Sequence, residues 1–424
     1  MQIEEIYTVF KKYPHVQTDS RKLQQGELFF ALKGPNFNGN IFTKKALELG
    51  AAYVIADEKQ DFEDQRIILV DDVLLTLQAL AKHHRNQFNI PFIAITGSNG
   101  KTTTKELLHE VLSSTYKTYT TVGNLNNHIG VPLTILKIKE DAEMAIIEMG
   151  ANHVQEIESY CQYTQPTHGL ITNIGKAHLE GFGGEEGVKK GKGELFDYIQ
   201  LHHGMAFINR DDVAVNEIGE KVSKSVMYGS TGLHPVGNVL KSDPFLEVNI
   251  SSENPFSIQT NLVGNYNLPN ILASVCIGRY FEVSDEKIKN AIEHYKPSNS
   301  RSQLIKKESN SIILDAYNAN PGSMKAAIEN FSQMQGENKI LLLGDMKELG
   351  ENTADEHQVI ISLIDQHKWK AVVLVGDYFG SLKHNYTGFE NSVLAKEWFD
   401  NQYFENALIL IKGSNSMHME KIIQ

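Results

Sequence analysis

The chain has 424 residues, of which 41% are hydrophobic and 22% charged, and it carries a net charge of −12 at pH 7. That length exceeds one ordinary core and predicts two to four domains of a globular protein. The negative balance excludes a global basic field for nucleic acid, so any phosphate binding has to come from a local site. Cys161 and Cys276 lie far apart and form no metal or redox pattern, which reads as reduced core thiols in a cytoplasmic protein. No basic flank precedes an apolar core at the N-terminus, so no signal peptide is expected. No apolar run approaches the ~18 residues of a membrane span.

Residues 1–88 read as a small α/β unit. Strands are expected at 27–32, 51–56 and 66–70, and helices at 43–49 and 73–88. Two polar stretches flank the first strand: Thr18-Asp19-Ser20-Arg21 before it and residues 33–40 after it. Gly, Pro and Asn suit solvated turns for backbone reasons alone. A polar pocket at the strand end, with Arg21 binding an anion, is the functional alternative.

Residues 89–298 carry the strongest signal. An apolar run at 90–95 predicts a strand covered on both faces. It leads through Thr96-Gly97-Ser98-Asn99-Gly100-Lys101-Thr102-Thr103 into a helix over 101–113. Gly97 and Gly100 permit backbone that a side chain resists, and let amides approach a ligand. The helix offers unpaired N–H groups and a positive dipole end. Lys101 adds a full charge, and the Thr102 hydroxyl is placed to bind magnesium. Position 95 is Ile where the longer phosphate loop has Gly, so this is the shorter Gly-x-x-Gly-Lys-Thr form. Strand before and helix after mark a nucleotide-polyphosphate site.

Further along, a strand at 117–122 ends in a loop holding Asn124, Asn126 and Asn127. Their amides either bind a polar ligand or only cap and turn. Glu148 ends a buried strand at 144–147, where a magnesium ligand or a salt-bridged cap belongs. A helix is expected at 154–160 and a fourth strand at 168–173. His178 follows that strand, on the same edge as Gly97 and Glu148. A lysine-rich run, 187–196, reads as a charged helix face in which no single lysine stands out. Short strands are expected at 206–209, 225–228 and 255–263. A helix opened by residues 264–270 runs to about 281, and another covers 284–295.

Residues 299–424 alternate strand and helix again, with strands at 312–315, 339–343, 371–375 and 407–411 and helices at 323–334 and 353–364. Polar residues and glycines recur at the strand ends, as on the ligand edge of a doubly wound sheet.

The stretches 96–106, 124–136, 148–157, 172–196, 315–324, 343–350 and 412–420 together resemble the Mur ligases, the ATP-dependent amino-acid ligases of bacterial peptidoglycan and cell-wall synthesis. Residues 18–34 look like the uridine-nucleotide-binding start of two family members. The resemblance implies an α/β chain of three domains. These are a small N-terminal uridine-nucleotide-binding domain (1–88), a central P-loop ATPase-like parallel-sheet domain (89–298) and a C-terminal Rossmann-like domain (299–424). Within the family the match is best to the member that joins D-alanyl-D-alanine to UDP-N-acetylmuramoyl-tripeptide. The member that adds a diamino acid has an Asp-Asn-Pro-Arg signature absent here. A folate polyglutamate ligase should lack the uridine-binding start, and a nucleotide-dependent regulatory module would need only the phosphate loop.

Residue by residue, the resemblance assigns Gly97, Ser98, Asn99, Gly100, Lys101, Thr102 and Thr103 to ATP phosphates. It assigns Asn270, Arg301 and Asp315 to the nucleotide, and Ser20, Arg21, Asn126 and Asn127 to the UDP substrate. Magnesium would be held by Thr102, Glu148, His178 and Lys192, the last as a carbamate formed with carbon dioxide. Lys101, Glu148, His178 and Lys192 would carry catalysis. No nucleic acid, no membrane and a monomeric state are expected. The family's usual Asp-Gly-His and His are replaced by Asn38-Gly39-Asn40 and Tyr266.

Overall fold

The computed structural model describes residues 2–232, 236–251, 253–298 and 300–424. Its first sheet is parallel and runs Val16–Gln17, Leu28–Phe30, Tyr53–Ala56, Ile67–Leu69. The helix Val73–Arg85 then leads into the central sheet, with Asp72 capping its first turn through Leu75 N–H at 2.8 Å.

The central sheet has six parallel strands in the order Ser225–Tyr228, Met205–Asn209, His168–Ile171, Phe92–Thr96, Met144–Glu148, Thr118–Thr120. Phe92–Thr96 is buried along its whole length because helices cover both faces, which is why it reads as an unbroken apolar run. The chain moves to one side of this strand after its first crossover and to the other side after Met144–Glu148. Its carboxyl end is therefore a topological switch point, where open parallel sheets bind ligands. The helix Lys101–Ser113 packs on one face with Leu107, Leu108, Val111 and Leu112 buried, against the almost wholly buried helix Leu268–Tyr280.

A second sheet of six strands follows, ordered Gln303–Lys307, Asn310–Asp315, Leu408–Lys412, Lys339–Gly344, Ala371–Val375, Thr387–Phe389. Only its first strand is antiparallel. The residues at its carboxyl edge face those of the central sheet across one cleft.

Several elements differ from the sequence expectation. The helix expected at 154–160 is Glu156–Thr164, because Gln155 takes a left-handed φ of 70° and ends the turn before it. The 255–263 strand is Phe256–Gln259, the edge of a three-stranded antiparallel sheet with Gly237–Ser242 and Leu246–Ile250. Leu246, Val248 and Ile250 are buried in alternation, a period-two signal that was readable. The helix Ile3–Lys12 buries Ile6 and Phe10, one turn apart, and was readable too.

Arg85 joins the first unit to the central one. It is buried and donates to Thr164 O (2.8 Å), Phe88 O (2.9 Å) and Gln165 O (2.9 Å), so the negative end of the helix Glu156–Thr164 and the turn after the arginine's own helix share one guanidinium. Burial lowers its pKa to about 10, still above neutral pH. Arg85→Met strands these carbonyls and is expected to destabilise the fold by about 3 kcal/mol in denaturant unfolding. Loss below about 0.5 kcal/mol would contradict this account.

Candidate active site

The cleft has a volume of about 590 Å³. Its floor is the loop after Phe92–Thr96. Gly97 and Gly100 hold φ of 139° and 79°. A Cβ at Gly97 would lie 2.1 Å from Thr172 Oγ1, and one at Gly100 would lie 2.5 Å from Asn270 Oδ1. Glycine is therefore required twice over at each position, by conformation and by space. The neighbouring strand end clamps the loop: Ser98 N donates to Asn173 O at 3.0 Å, Asn99 N to Asn173 Oδ1 at 2.9 Å, and Thr172 Oγ1 to Asn99 O at 2.6 Å. The first turn of Lys101–Ser113 opens on the cleft through Lys101, Thr102 and Thr103. Lys101 Nζ folds back onto Gly97 O (2.7 Å) and Ser98 O (3.2 Å). Those two carbonyls hold an ammonium that burial has partly desolvated, and its pKa is lowered to about 8. Glu148 partly offsets the burial and Arg301 adds to it.

Glu148 is the last residue of its strand and almost fully buried. Its Oε1 accepts from Thr102 Oγ1 at 3.1 Å and from Asn126 Nδ2 at 2.8 Å. Its Oε2 is buried with no hydrogen-bond partner. A bare buried carboxylate oxygen beside a phosphate loop fits a hard divalent cation. Among the described residues no group of three or more His, Cys, Asp or Glu could hold a metal by itself.

Lys192 is fully buried on the helix Glu185–Leu201, donating to Ala151 O at 2.9 Å, with its ammonium 4.9 Å from the Phe182 ring centre. Burial first, then the Lys101 charge, push its pKa well below the usual lysine value. The lysine run does single it out after all. Val188, Lys192, Leu195 and Ile199 form one buried stripe at helical spacing, while Lys189 pairs outward with Glu217 at 2.6 Å. A lysine on the apolar face was the signal missed in the sequence.

His178 lines the cleft in a left-handed conformation (φ 54°), and its Nδ1 pairs with Glu348 from the other sheet. Asn126 braces Glu148, whereas Asn127 Oδ1 accepts from Ile129 N (3.1 Å) and Gly130 N (2.9 Å), so it caps a helix as well as lining the cleft. Asn270 accepts from Thr104 Oγ1 at 3.0 Å and backs Gly100. Arg301 and Asp315 form the opposite wall with Lys412, whose Nζ lies 2.7 Å from Asp315 Oδ2. Asn320 Nδ2 bridges the walls, donating to Asn99 Oδ1 at 2.7 Å. Neither Ser20 nor Arg21 lines this cleft. Ser20 is buried in the first unit, and Arg21 is exposed and chelates Asp19 at 2.9 and 2.8 Å. Asn173, Tyr317 and Asn320 are cleft residues that the sequence reading did not single out; each lies just past a strand end, which was the available signal.

Three family models match the chain: "Mur ligase family, catalytic domain" over 12–85, "Mur ligase middle domain" over 95–278 and "Mur ligase, glutamate ligase domain" over 300–414. The chain belongs to the Mur ligase family. It is similar to the UDP-N-acetylmuramoyl-tripeptide–D-alanyl-D-alanine ligase of Bacillus subtilis, 36% identical over 426 residues, covering 96% of this chain and 92% of that protein. The crystal structure of MurF from Acinetobacter baumannii is 31% identical over 96% of this chain and 92% of that one, with a TM-score of 0.87. The MurF ligase from Thermotoga maritima in complex with ADP is 26% identical over 96% of both chains, with a TM-score of 0.85.

For this Mur-family cleft, the Lys101 ammonium sets a pH limit. As pH rises through about 8 the free protein loses that charge, so affinity for a nucleoside triphosphate is expected to fall. Lys101→Arg keeps its charge throughout and should lose this limb. The same limb surviving in Lys101→Arg would contradict the assignment.

Proposed function

We propose that this cleft is the active site of an ATP-dependent ligase that joins D-alanyl-D-alanine to UDP-N-acetylmuramoyl-tripeptide, releasing ADP and phosphate. The observation that carries the reading is the bare Oε2 of Glu148, whose Oε1 accepts from Thr102 in the first helical turn after a phosphate loop, under a second sheet edge. The matches to ligases of this name along nearly the whole chain support it. We assign residues 1–88 to the uridine nucleotide, with Ser20 and Arg21 in contact with it. Residues 89–298 take ATP, and 299–424 form the closing ligase domain. We place the protein in the cytoplasm as a monomer, as the resemblance implies. No described helix is long and apolar enough to cross a membrane.

The chemistry has two steps. The terminal carboxylate of the tripeptide attacks the γ-phosphate of ATP, ADP departs, and an acyl phosphate forms. The dipeptide amine then attacks the acyl carbon, phosphate leaves and the amine proton passes to solvent. The first step brings two anions together, so cationic density has to dominate the cleft. Lys101 supplies it by exchanging its loop carbonyls for phosphate oxygens, assisted by the helix N-terminus and by Arg301. Thr102 and Glu148, with His178 and Lys192 as a carbamate, would hold magnesium, which when bound neutralises phosphate charge and polarises the transferring group. The lowered pKa of Lys192 favours the neutral amine. The nitrogen of that neutral amine can add to the carbon of carbon dioxide and lose a proton, turning a buried amine into an anionic ligand. The second wall keeps the acyl phosphate from water.

Phosphate release from ATP with UDP-N-acetylmuramoyl-tripeptide is the test. Release is expected with D-alanyl-D-alanine and not with free diaminopimelate, lysine or glutamate, with a product heavier by the dipeptide. Release with a free amino acid instead would reassign the acceptor. Lys192→Ala should lose turnover and regain part of it with short carboxylic acids, which can enter the vacated space as oxygen ligands. Indifference to them would contradict the carbamate.

A further inference from the structure

We propose that Tyr317 is a positioning residue that holds the Arg301 guanidinium, with its charge unneutralised, against the nucleotide polyphosphate. The proposal rests on the nucleotide reading of the cleft. Both residues line it, and the Tyr317 ring centre lies 3.5 Å from Arg301 Cζ. The Nε of Arg301 is buried with no hydrogen-bond partner. Arg301 as a whole is half-buried, and a guanidinium with a buried edge normally recruits a carboxylate. The carboxylate at hand is Asp315, and it is already taken. Lys412 Nζ approaches its Oδ2 at 2.7 Å, while Ser302 N and Oγ donate to its Oδ1 at 3.0 and 3.3 Å.

This division of partners has a chemical consequence. A carboxylate would fix Arg301 and also cancel its charge, competing with phosphate. An aromatic face supports the planar cation through its quadrupole and leaves the charge and the edge N–H groups for a ligand. Lys101 lines the same cleft, so two cationic side chains face one space and a polyanion relieves both.

The backbone points the same way. Arg301 sits between Ser300 and Ser302, both left-handed (φ 56° and 49°), a conformation side-chain residues rarely adopt. Such geometry persists where surrounding contacts over-determine it, and it gathers at ligand clamps. Here Tyr317 N donates to Ser300 O at 3.2 Å, Asp315 holds Ser302, and Tyr266 OH lies 3.0 Å from Ser302 Oγ. Asn415 Nδ2 in turn donates to Tyr317 O at 3.1 Å. Tyr317 thus fixes Arg301 from two sides: its amide sets the backbone before the arginine, and its ring sets the guanidinium plane.

The test is calorimetric binding of a non-hydrolysable ATP analogue with Mg2+ to the full-length protein. Tyr317→Phe keeps the ring and should bind within about twofold of the unaltered protein, because the stack needs no hydroxyl. Tyr317→Leu keeps the backbone amide, and hence the bond to Ser300, but should bind ~10-fold more weakly. In an Arg301→Met background the Tyr317→Leu change should cost no further affinity, since tyrosine acts through arginine. Equal losses in both backgrounds, or Tyr317→Phe as weak as Tyr317→Leu, would overturn the clamp while leaving the nucleotide site standing. Failure of the unaltered protein to bind the analogue would overturn the nucleotide reading and the clamp with it. Thermal unfolding of each variant separates loss of fold, which moves the midpoint, from loss of the clamp, which does not.

Discussion

The buried carboxylate of Glu148 is the constraint on which the cleft depends. One oxygen is satisfied by Thr102 and Asn126, and the other is bare. A buried charge left half-solvated is costly unless a cation completes it. Much of the central sheet serves to put it there. Met144–Glu148 runs beside Phe92–Thr96 in parallel register, with Ile95 opposite Glu148, so the carboxylate and the phosphate loop emerge side by side. The same register places Ile171 beside Thr96, and the segment after Ile171 then clamps the loop. Glycine at 97 is what allows that approach.

The second sheet completes the cleft, because the reaction needs both cationic density and shelter from water. Its residues meet the central domain through hydrogen bonds and charge pairs as well as apolar packing. Asn320 reaches Asn99, Lys176 pairs with Glu356 at 2.6 Å, and His178 pairs with Glu348. Such polar contacts can exchange partners as ligands enter, which packed hydrocarbon cannot do as readily. His178 is the clearest instance: the side chain assigned to a metal is here engaged by a carboxylate from the opposite wall.

Much of this was legible in the sequence, for a physical reason. Parallel strands covered on both faces are apolar runs with abrupt ends, and a side chain just past such an end lies on the ligand edge. Glu148 and His178 were singled out that way and Lys101 by the phosphate-loop pattern, and all three line one cleft in the structure. What escaped had weaker local signals. Gln303–Lys307 is an edge strand with half-exposed and exposed residues, so it carries no apolar run. Arg301 and Tyr317 meet through the tertiary fold, and Asn99 and Asn320 lie more than two hundred positions apart. No periodicity records such meetings. Lys192 lies between these cases, since its helical stripe marks it as buried while only the fold shows which carbonyl receives its ammonium.

The most direct measurement of the central claim is nucleotide binding to Glu148→Gln, with and without Mn2+ as a spectroscopic stand-in for magnesium. The amide keeps the shape and an oxygen for Thr102 but removes the charge that a cation needs. Metal should strengthen nucleotide binding to the unaltered protein and no longer do so in the variant, while metal-free binding stays the same. An unchanged metal enhancement in Glu148→Gln, or an equal loss of binding with and without metal, would contradict the assignment of the bare oxygen to a cation.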